Sequence, residues 1–133
     1  MAVMNLQSFI EQADQAFFDR DFAFFEKNLT EDASWNVVGR FFVSGKTEVV
    51  EAMRAATAEM DFDGNNAQIV RDNLIANGNE AAVKGSIAMT LPNGDKKTIY
   101  YFDLYVLDSG QEGKIKEFTS FVIESTEQQE GGM

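Results

Sequence analysis

The second half of the chain constrains its fold more than any other feature, because long β-prone runs alternate there with short clusters of turn residues. The runs are Ala67 to Ala76, Glu80 to Leu91, Lys96 to Asp108 and Lys114 to Glu124. Between them stand Asn77-Gly78-Asn79, Pro92-Asn93-Gly94-Asp95 and a glycine-bracketed loop, so the pattern predicts a meander of four antiparallel strands. Each run approaches a dozen residues, about twice the usual strand length. Sheets built from such strands twist and curl, which creates a concave side that something must cover.

The first half supplies the cover. From Asn5 to Arg20 the apolar residues Leu6, Phe9, Ile10, Ala13, Ala16 and Phe17 recur at three- and four-residue spacing, so the spacing predicts a helix with one apolar stripe. Asn5 can cap it, or Ser8 with Glu11 if it starts later. A shorter helix is expected to start at Asp21, carrying Phe22, Phe25 and Leu29 inward. Ala33 to Val38 reads as a strand, Gly39-Arg40 as a turn and Phe41 to Val43 as a short return strand. A third helix follows from about Lys46 to Met60, with Val49, Val50, Met53 and Ala56 on its apolar side and Asp61 to Asn66 as a polar loop.

These elements make an α+β domain in which three helices pack on a strongly curved, cone-like sheet, mixed but mostly antiparallel, around an apolar pocket. One domain over residues 1–124 is expected, because 133 residues suit a single core and 44% of them are hydrophobic, twelve being Phe. The polar, glycine-rich stretch from Ser125 to Met133 is expected to be a disordered tail.

Composition narrows the function by exclusion. A formal charge of −11, from 22 acidic and 11 basic residues, repels phosphate backbones and anionic membranes, so neither nucleic acid nor membrane is an expected partner. No window approaches the roughly 20 apolar residues of a membrane span, and MAVMNLQSFIEQ lacks the flank of a secretory signal, which makes the cytoplasm the default location. Cys and His are both absent from the sequence. Thiolate zinc sites, cysteine nucleophiles and every Ser-His or His-carboxylate mechanism therefore fall away, and neither metal nor cofactor is expected. Acid–base chemistry must use carboxylates, Tyr, Lys or water.

One charge stands out against this background. Asp103 is the only charge in the nine-residue apolar run Ile99 to Leu107, and alternation puts it on one face with Tyr101 and Tyr105, opposite Tyr100, Phe102, Leu104 and Val106. A carboxyl so placed is either desolvated and pushed toward its proton-donating form, or held ionised by the two phenols. Alternatively the face is partly wet and Asp103 merely solvates it. Trp35 and Val37 share one face of the first strand, where Trp35 either walls a ligand site or belongs to the core. Asn36, on the other face, is a weaker candidate. Phe118, Ser120 and Val122 share a face of the last strand, and Ser120 could offer its hydroxyl to a ligand or serve only the fold.

Other local patterns carry less. The acidic pairs Glu31-Asp32 and Asp61-Asp63 read as solvated element ends, without the ligand density of a calcium loop. Ser44-Gly45-Lys46-Thr47 lacks the upstream glycine of a phosphate loop.

Leu29-Thr-Glu-Asp-Ala-Ser-Trp-Asn-Val-Val-Gly39 followed by Val43-Ser-Gly-Lys-Thr-Glu-Val-Val50 resembles the signature of the nuclear transport factor 2-like superfamily, in its SnoaL-like and ketosteroid-isomerase-like branch. Asn77-Gly-Asn-Glu-Ala-Ala-Val83, Tyr101-Phe-Asp-Leu-Tyr-Val-Leu107 and Gly113-Lys-Ile-Lys-Glu-Phe118 agree in order and spacing, so the resemblance runs from Leu6 to Val122. It implies the cone-like fold and is specific for fold rather than reaction. The isomerase's oxyanion-hole acid falls on Asp103, a role in which a carboxylic acid stays neutral to donate a hydrogen bond. Its base falls on Val37 and its first-helix Tyr falls near Ala13, so two of three roles are missing and steroid isomerisation by that mechanism is not expected. SnoaL-type cyclases, which use an acid in the same region, remain compatible. Scytalone-dehydratase chemistry needs His, and the Asp-Arg-Asp set of limonene epoxide hydrolase would want Arg where Tyr101 stands.

Two functions follow as expectations. In the first, the chain binds a small, largely apolar, carbonyl- or hydroxyl-bearing molecule, with Asp103, Tyr101 and Tyr105 as the acid and its helpers and Trp35, Val37, Phe118, Ser120 and Val122 lining the pocket. Such a protein could act as a cofactor-independent isomerase, cyclase or dehydratase. In the second, it is a non-catalytic ligand-binding or dimerisation module; the outer sheet face with Tyr100, Phe102, Leu104 and Val106 needs cover from a helix or from a partner chain, and the resemblance implies homodimerisation through sheet faces.

Overall fold

The structure, a computed structural model, describes residues 5–59, 67–108 and 113–126. The expected loop at Asp61 to Asn66 with its acidic pair, Met60 at the end of the third helix, most of the glycine-bracketed loop and the tail beyond Thr126 lie outside the described residues.

Helix α1 spans Leu6–Phe18, and the side chain of Asn5 accepts the Ser8 N–H at 3.2 Å, so Asn5 is the cap. Its buried arc is wider than the apolar stripe, since Asp14 and Phe18 are buried beside Ile10, Ala13 and Phe17. The chain then reverses through Arg20, whose φ of 59° is left-handed. Asp21 accepts the Phe24 N–H at 3.3 Å and caps α2, Phe22–Asn28. Phe25 from this helix is fully buried.

Strand β1 is Leu29–Val37, four residues longer at its start than the sequence pattern suggests. Leu29 is indeed inward, but as the first residue of the strand rather than the last turn of α2. The polar run Thr30-Glu31-Asp32 hides this strand start, because Thr30 donates to its own neighbour Asp32 at 2.9 Å and the register shifts between Leu29 and Ser34. A turn at Gly39, with φ of 82°, leads to β2, Phe41–Ser44. Helix α3, Lys46–Glu59, buries Val49, Val50, Met53 and also Thr57, whose hydroxyl donates to the Met53 carbonyl at 2.8 Å.

The meander follows as β3 (Ala67–Asn77), β4 (Glu80–Thr90), β5 (Lys96–Leu107) and β6 (Ile115–Thr126). The last strand thus runs two residues past Glu124. All six strands form one open, mixed sheet in the order β2-β1-β6-β5-β4-β3, antiparallel throughout except where β1 meets β6. Register shifts interrupt three ladders, at Leu29/Ser34, Arg71/Asn73 and Val106/Leu107, and such bulges let long strands bend.

Helix α3 packs on β1 and β2, and α1 reaches β3 and β4, so the helices cover the two flanks of one sheet face. Side chains alternate along β5 as expected: Ile99, Tyr101, Asp103, Tyr105 and Leu107 are buried, while Tyr100 and Phe102 are exposed on the other side. The covered face of β5 and β6 looks into the space left between the helices.

Candidate active site: a buried carboxyl in an apolar cavity

That space is a cavity of about 590 Å³, within the range of pockets that hold small organic molecules. Strand β5 lines it through Lys97, Ile99, Tyr101 and Asp103, every second residue, and β6 through Phe118, Ser120, Val122 and Glu124. Phe17 and Phe18 come from α1, Ala52 and Ala56 from α3, Ile87 and Met89 from β4, and Trp35 and Val37 from β1. Charged side chains line it as well: Arg40, Glu59 and the ion pair Lys97–Glu124 at 3.1 Å. Lys97 and Asp103 are six residues apart on one strand, which separates them by about 20 Å, so the charged end and the acid are at opposite ends of the cavity.

Asp103 sits where three strands are in register, opposite Ser120 on β6 and Val83 on β4. It is buried, with 7% of its surface exposed. Burial, and after it the charge of Asp14, push its carboxyl well above the ordinary range, while a hydrogen bond from Ser120 opposes them. The direction of the shift is toward the proton-donating of the two states open from sequence. The Ser120 Oγ in turn accepts the Trp35 indole N–H at 3.0 Å. Trp35 is thus hydrogen-bonded to Ser120, which faces Asp103 across the β5–β6 ladder, and the indole is held further by stacking on Phe118 at 5.5 Å and an edge contact with Phe41 at 5.2 Å.

Tyr101 is buried on the cavity wall, but its hydroxyl is turned to α1. It donates to Asp14 Oδ2 at 3.0 Å. Arg71 on β3 donates from Nε to the same oxygen at 2.7 Å, and its other arm reaches Gln15 at 3.3 Å. Burial raises the Asp14 carboxyl above its usual value, against the opposing pull of Arg71 and Tyr101. Burial lowers the Arg71 guanidinium's proton affinity, but the hydrogen bond and charge of Asp14 outweigh it and the net shift is upward. The Tyr101 phenol is pushed far up, first by burial and then by Asp14, and stays protonated.

This arrangement depends on Gly85, which faces Tyr101 on one side and Arg71 on the other. A Cβ there would lie 2.5 Å from Tyr101 Oη and 2.6 Å from the Val70 carbonyl oxygen. Only a bare backbone leaves the phenol room to cross β4 toward Asp14.

Seven of the eight residues singled out from sequence line the cavity: Asp103, Tyr101, Trp35, Val37, Phe118, Ser120 and Val122. Tyr105 is placed elsewhere. It is fully buried, stacked against Phe118 at 4.7 Å, outside the cavity lining, and its hydroxyl has no hydrogen-bond partner among the described residues. Burial raises this phenol well above its usual value, followed by the charges of Asp103 and Asp14.

Asp14, Arg71 and Gly85 were not expected. Asp14 follows Ile10 by four residues and precedes Phe17 by three, so a charge inside an apolar helix stripe was the available signal. A glycine inside a strand marks a close approach. Arg71 had no local signal: its partner is 57 residues away. No Arg occupies position 101, yet a guanidinium does reach the back of Tyr101, from β3 rather than from β5.

Three helices on this mixed six-stranded sheet, with an acid in the cavity between, define the nuclear transport factor 2-like class. Residues 10–118 match the SnoaL-like domain family, and the chain belongs to it. Among solved structures, an NTF2-like protein of unknown function from Cytophaga hutchinsonii aligns over 90% of this chain and 100% of its own, with a TM-score of 0.70 and 24% identity. The epoxide hydrolase/cyclase-like enzyme SalBIII, described for pyran ring formation in the polyether salinomycin, aligns over 89% and 90%, with a TM-score of 0.68 and 21% identity. A candidate ketosteroid isomerase from Kribbella flavida aligns over 95% and 83%, with a TM-score of 0.62 and 19% identity. At these identities the likeness is one of fold. No curated protein sequence matches the chain significantly.

Proposed function

We propose that this protein binds a small, largely apolar molecule bearing a carbonyl or hydroxyl group, and that neutral Asp103 donates a hydrogen bond to that group. The observation that carries the reading is a buried carboxyl, pushed toward its protonated form and braced by Ser120 and Trp35, on the wall of an apolar cavity of about 590 Å³. A carboxylic acid so placed stabilises negative charge developing on a carbonyl oxygen, and surrounding apolar walls strengthen that interaction. The reaction this supports is a cofactor-independent isomerisation, cyclisation or dehydration. The cyclase-like and isomerase neighbours share the fold and motivate this choice of reaction class. Val37 offers no base opposite the acid, so a proton leaving the substrate goes to water, to a base on the substrate, or to Glu59 or Glu124 in the cavity lining.

Trp35 is the only Trp in the chain and lines the cavity, so its fluorescence reports occupancy. Titration with bicyclic ketones such as decalone is expected to perturb it, and Asp103→Ala to weaken binding about tenfold, the worth of one hydrogen bond to a ligand carbonyl. Equal affinity in the variant refutes the role of Asp103. If a turnover assay is found, Asp103→Asn abolishes it, and unchanged turnover removes the catalytic reading while leaving binding.

A specific observation also favours association. Tyr100, Phe102, Phe121 and Ile123 are 51, 45, 46 and 66% exposed on the outer sheet face, an apolar surface of the kind that partner chains cover. A homodimer through this face is part of the proposal. Light scattering at micromolar concentration is expected to show a dimer that Phe102→Asp dissociates, and a monomeric parent protein would refute it.

A further inference from the structure

The donor and acceptor count at the cavity wall goes beyond the single acid and specifies the ligand further, and the argument rests on the proposed binding reading. A phenol has one proton to donate and lone pairs to accept with. The Tyr101 proton is already committed, because Oη donates to Asp14 Oδ2 at 3.0 Å. That commitment is enforced from three sides. Arg71 Nε at 2.7 Å fixes the same carboxylate oxygen in place. Asp14 itself is buried, with 1% of its surface exposed, and so has no solvent alternative. Gly85, where a Cβ would collide with the phenol, leaves it room to reach that carboxylate. What Tyr101 can still show the cavity is a lone pair.

The other polar groups at this end of the cavity are also accounted for. The Trp35 N–H is spent on Ser120, whose side chain stands opposite Asp103 across the β5–β6 ladder. In the proposed reading Asp103 supplies the proton that meets the ligand. Asp103 and Tyr101 stand two residues apart on one face of β5, and both line the cavity.

We infer that Asp14 is a positioning residue which, by taking the Tyr101 proton, makes Tyr101 a hydrogen-bond acceptor beside the Asp103 donor, so that the site selects hydroxy ketones over diketones and alkoxy ketones. The carbonyl of such a ligand accepts from Asp103 and its hydroxyl donates to Tyr101. A diketone presents an acceptor to the lone pair of Tyr101, and an ether presents no donor.

The test uses three probes of one skeleton: hydroxydecalone, the corresponding methoxydecalone and the corresponding decalindione, each titrated against Trp35 fluorescence. In the parent protein hydroxydecalone is expected to bind about tenfold more tightly than either analogue. Tyr101→Phe, which leaves the Asp14–Arg71 pair intact, removes that preference. The double variant Asp14→Leu/Arg71→Leu removes both charges together and frees the Tyr101 proton, so the preference inverts toward the decalindione. A purely structural role for Asp14 would lower all three affinities without reordering them, and that result overturns the inference. So does retention of the preference in Tyr101→Phe, which decides the matter even if the double variant does not fold. Equal affinities that still fall in Asp103→Ala overturn the donor–acceptor assignment and leave the cavity reading standing. Failure of all three probes to bind the parent protein overturns both.

Discussion

Gly85→Ala is the smallest change that should dismantle the site, and its cost can be worked from distances. The added Cβ would sit 2.5 Å from Tyr101 Oη, 2.6 Å from Tyr101 Cζ and 2.6 Å from the Val70 carbonyl oxygen. Carbon contacts relax at about 3.5 Å or more, so both neighbours must retreat by about 1 Å. The Val70 carbonyl belongs to the β3 backbone beside the β3–β4 ladder and yields only if the strand moves. Tyr101 can swing away, but then it leaves Asp14. Overpacking of this kind costs about 1–3 kcal/mol. Losing a hydrogen bond to a charged group adds about 1.5–3 kcal/mol. The gain from replacing a strand glycine returns about 0.5–1 kcal/mol. The net expectation is about 2–5 kcal/mol of destabilisation, a large share of what holds a small domain together. Urea unfolding followed by Trp35 fluorescence reads this as a midpoint lowered by about 1–3 M. In a Tyr101→Leu background the same substitution should cost less, because only the Val70 contact remains. A Gly85→Ala protein within about 0.5 kcal/mol of its parent would refute the claim that the phenol is locked across β4.

Other expectations follow from the same contacts. Tyr105→Phe removes a buried hydroxyl with no partner among the described residues, so it should raise stability by about 1 kcal/mol or leave it unchanged. A Tm lowered by more than about 4 °C would show that the hydroxyl is needed. Asp14→Ala strands Tyr101 and Arg71, and because Arg71 is 24% exposed and can turn to water the expected loss is about 2–3 kcal/mol, measured by urea unfolding. The Asp103 carboxyl is raised in the folded state, so the folded protein binds its proton more tightly than the unfolded chain. The contribution of this group to stability is then fully present below the unfolded carboxyl value of about 4 and is lost as pH rises toward the folded value. Asp103→Asn should reduce that decline, leaving the smaller contribution of Asp14, which has the same sign; an unchanged slope between parent and variant would refute the assignment.

The sequence made the sheet legible because its signals are local. Asn77-Gly78-Asn79 and Pro92-Asn93-Gly94-Asp95 mark the hairpins, and alternation placed Asp103 and Tyr101 on the covered face without any knowledge of their neighbours. The same alternation put Tyr105 on that face, but could not say that Phe118 would stack over it and keep it out of the cavity. The start of β1 was hidden for a comparable reason: Thr30-Glu31-Asp32 looks like a solvated helix end until β6 pairs alongside. Asp14 and Arg71 were out of reach because their meaning is a contact between α1 and β3, and no spacing rule connects residues so far apart. The cavity's acid was therefore readable, whereas the group that sets the direction of its neighbouring hydrogen bond was not.

The central claim is that Asp103 is a neutral acid inside the cavity at neutral pH. Infrared difference spectroscopy between the parent protein and Asp103→Asn at pH 7 addresses it directly. The variant is expected to lose a protonated-carboxyl C=O band, and adding decalone is expected to shift this band in the parent. Loss of a carboxylate band instead, with no protonated-carboxyl signal, would contradict it.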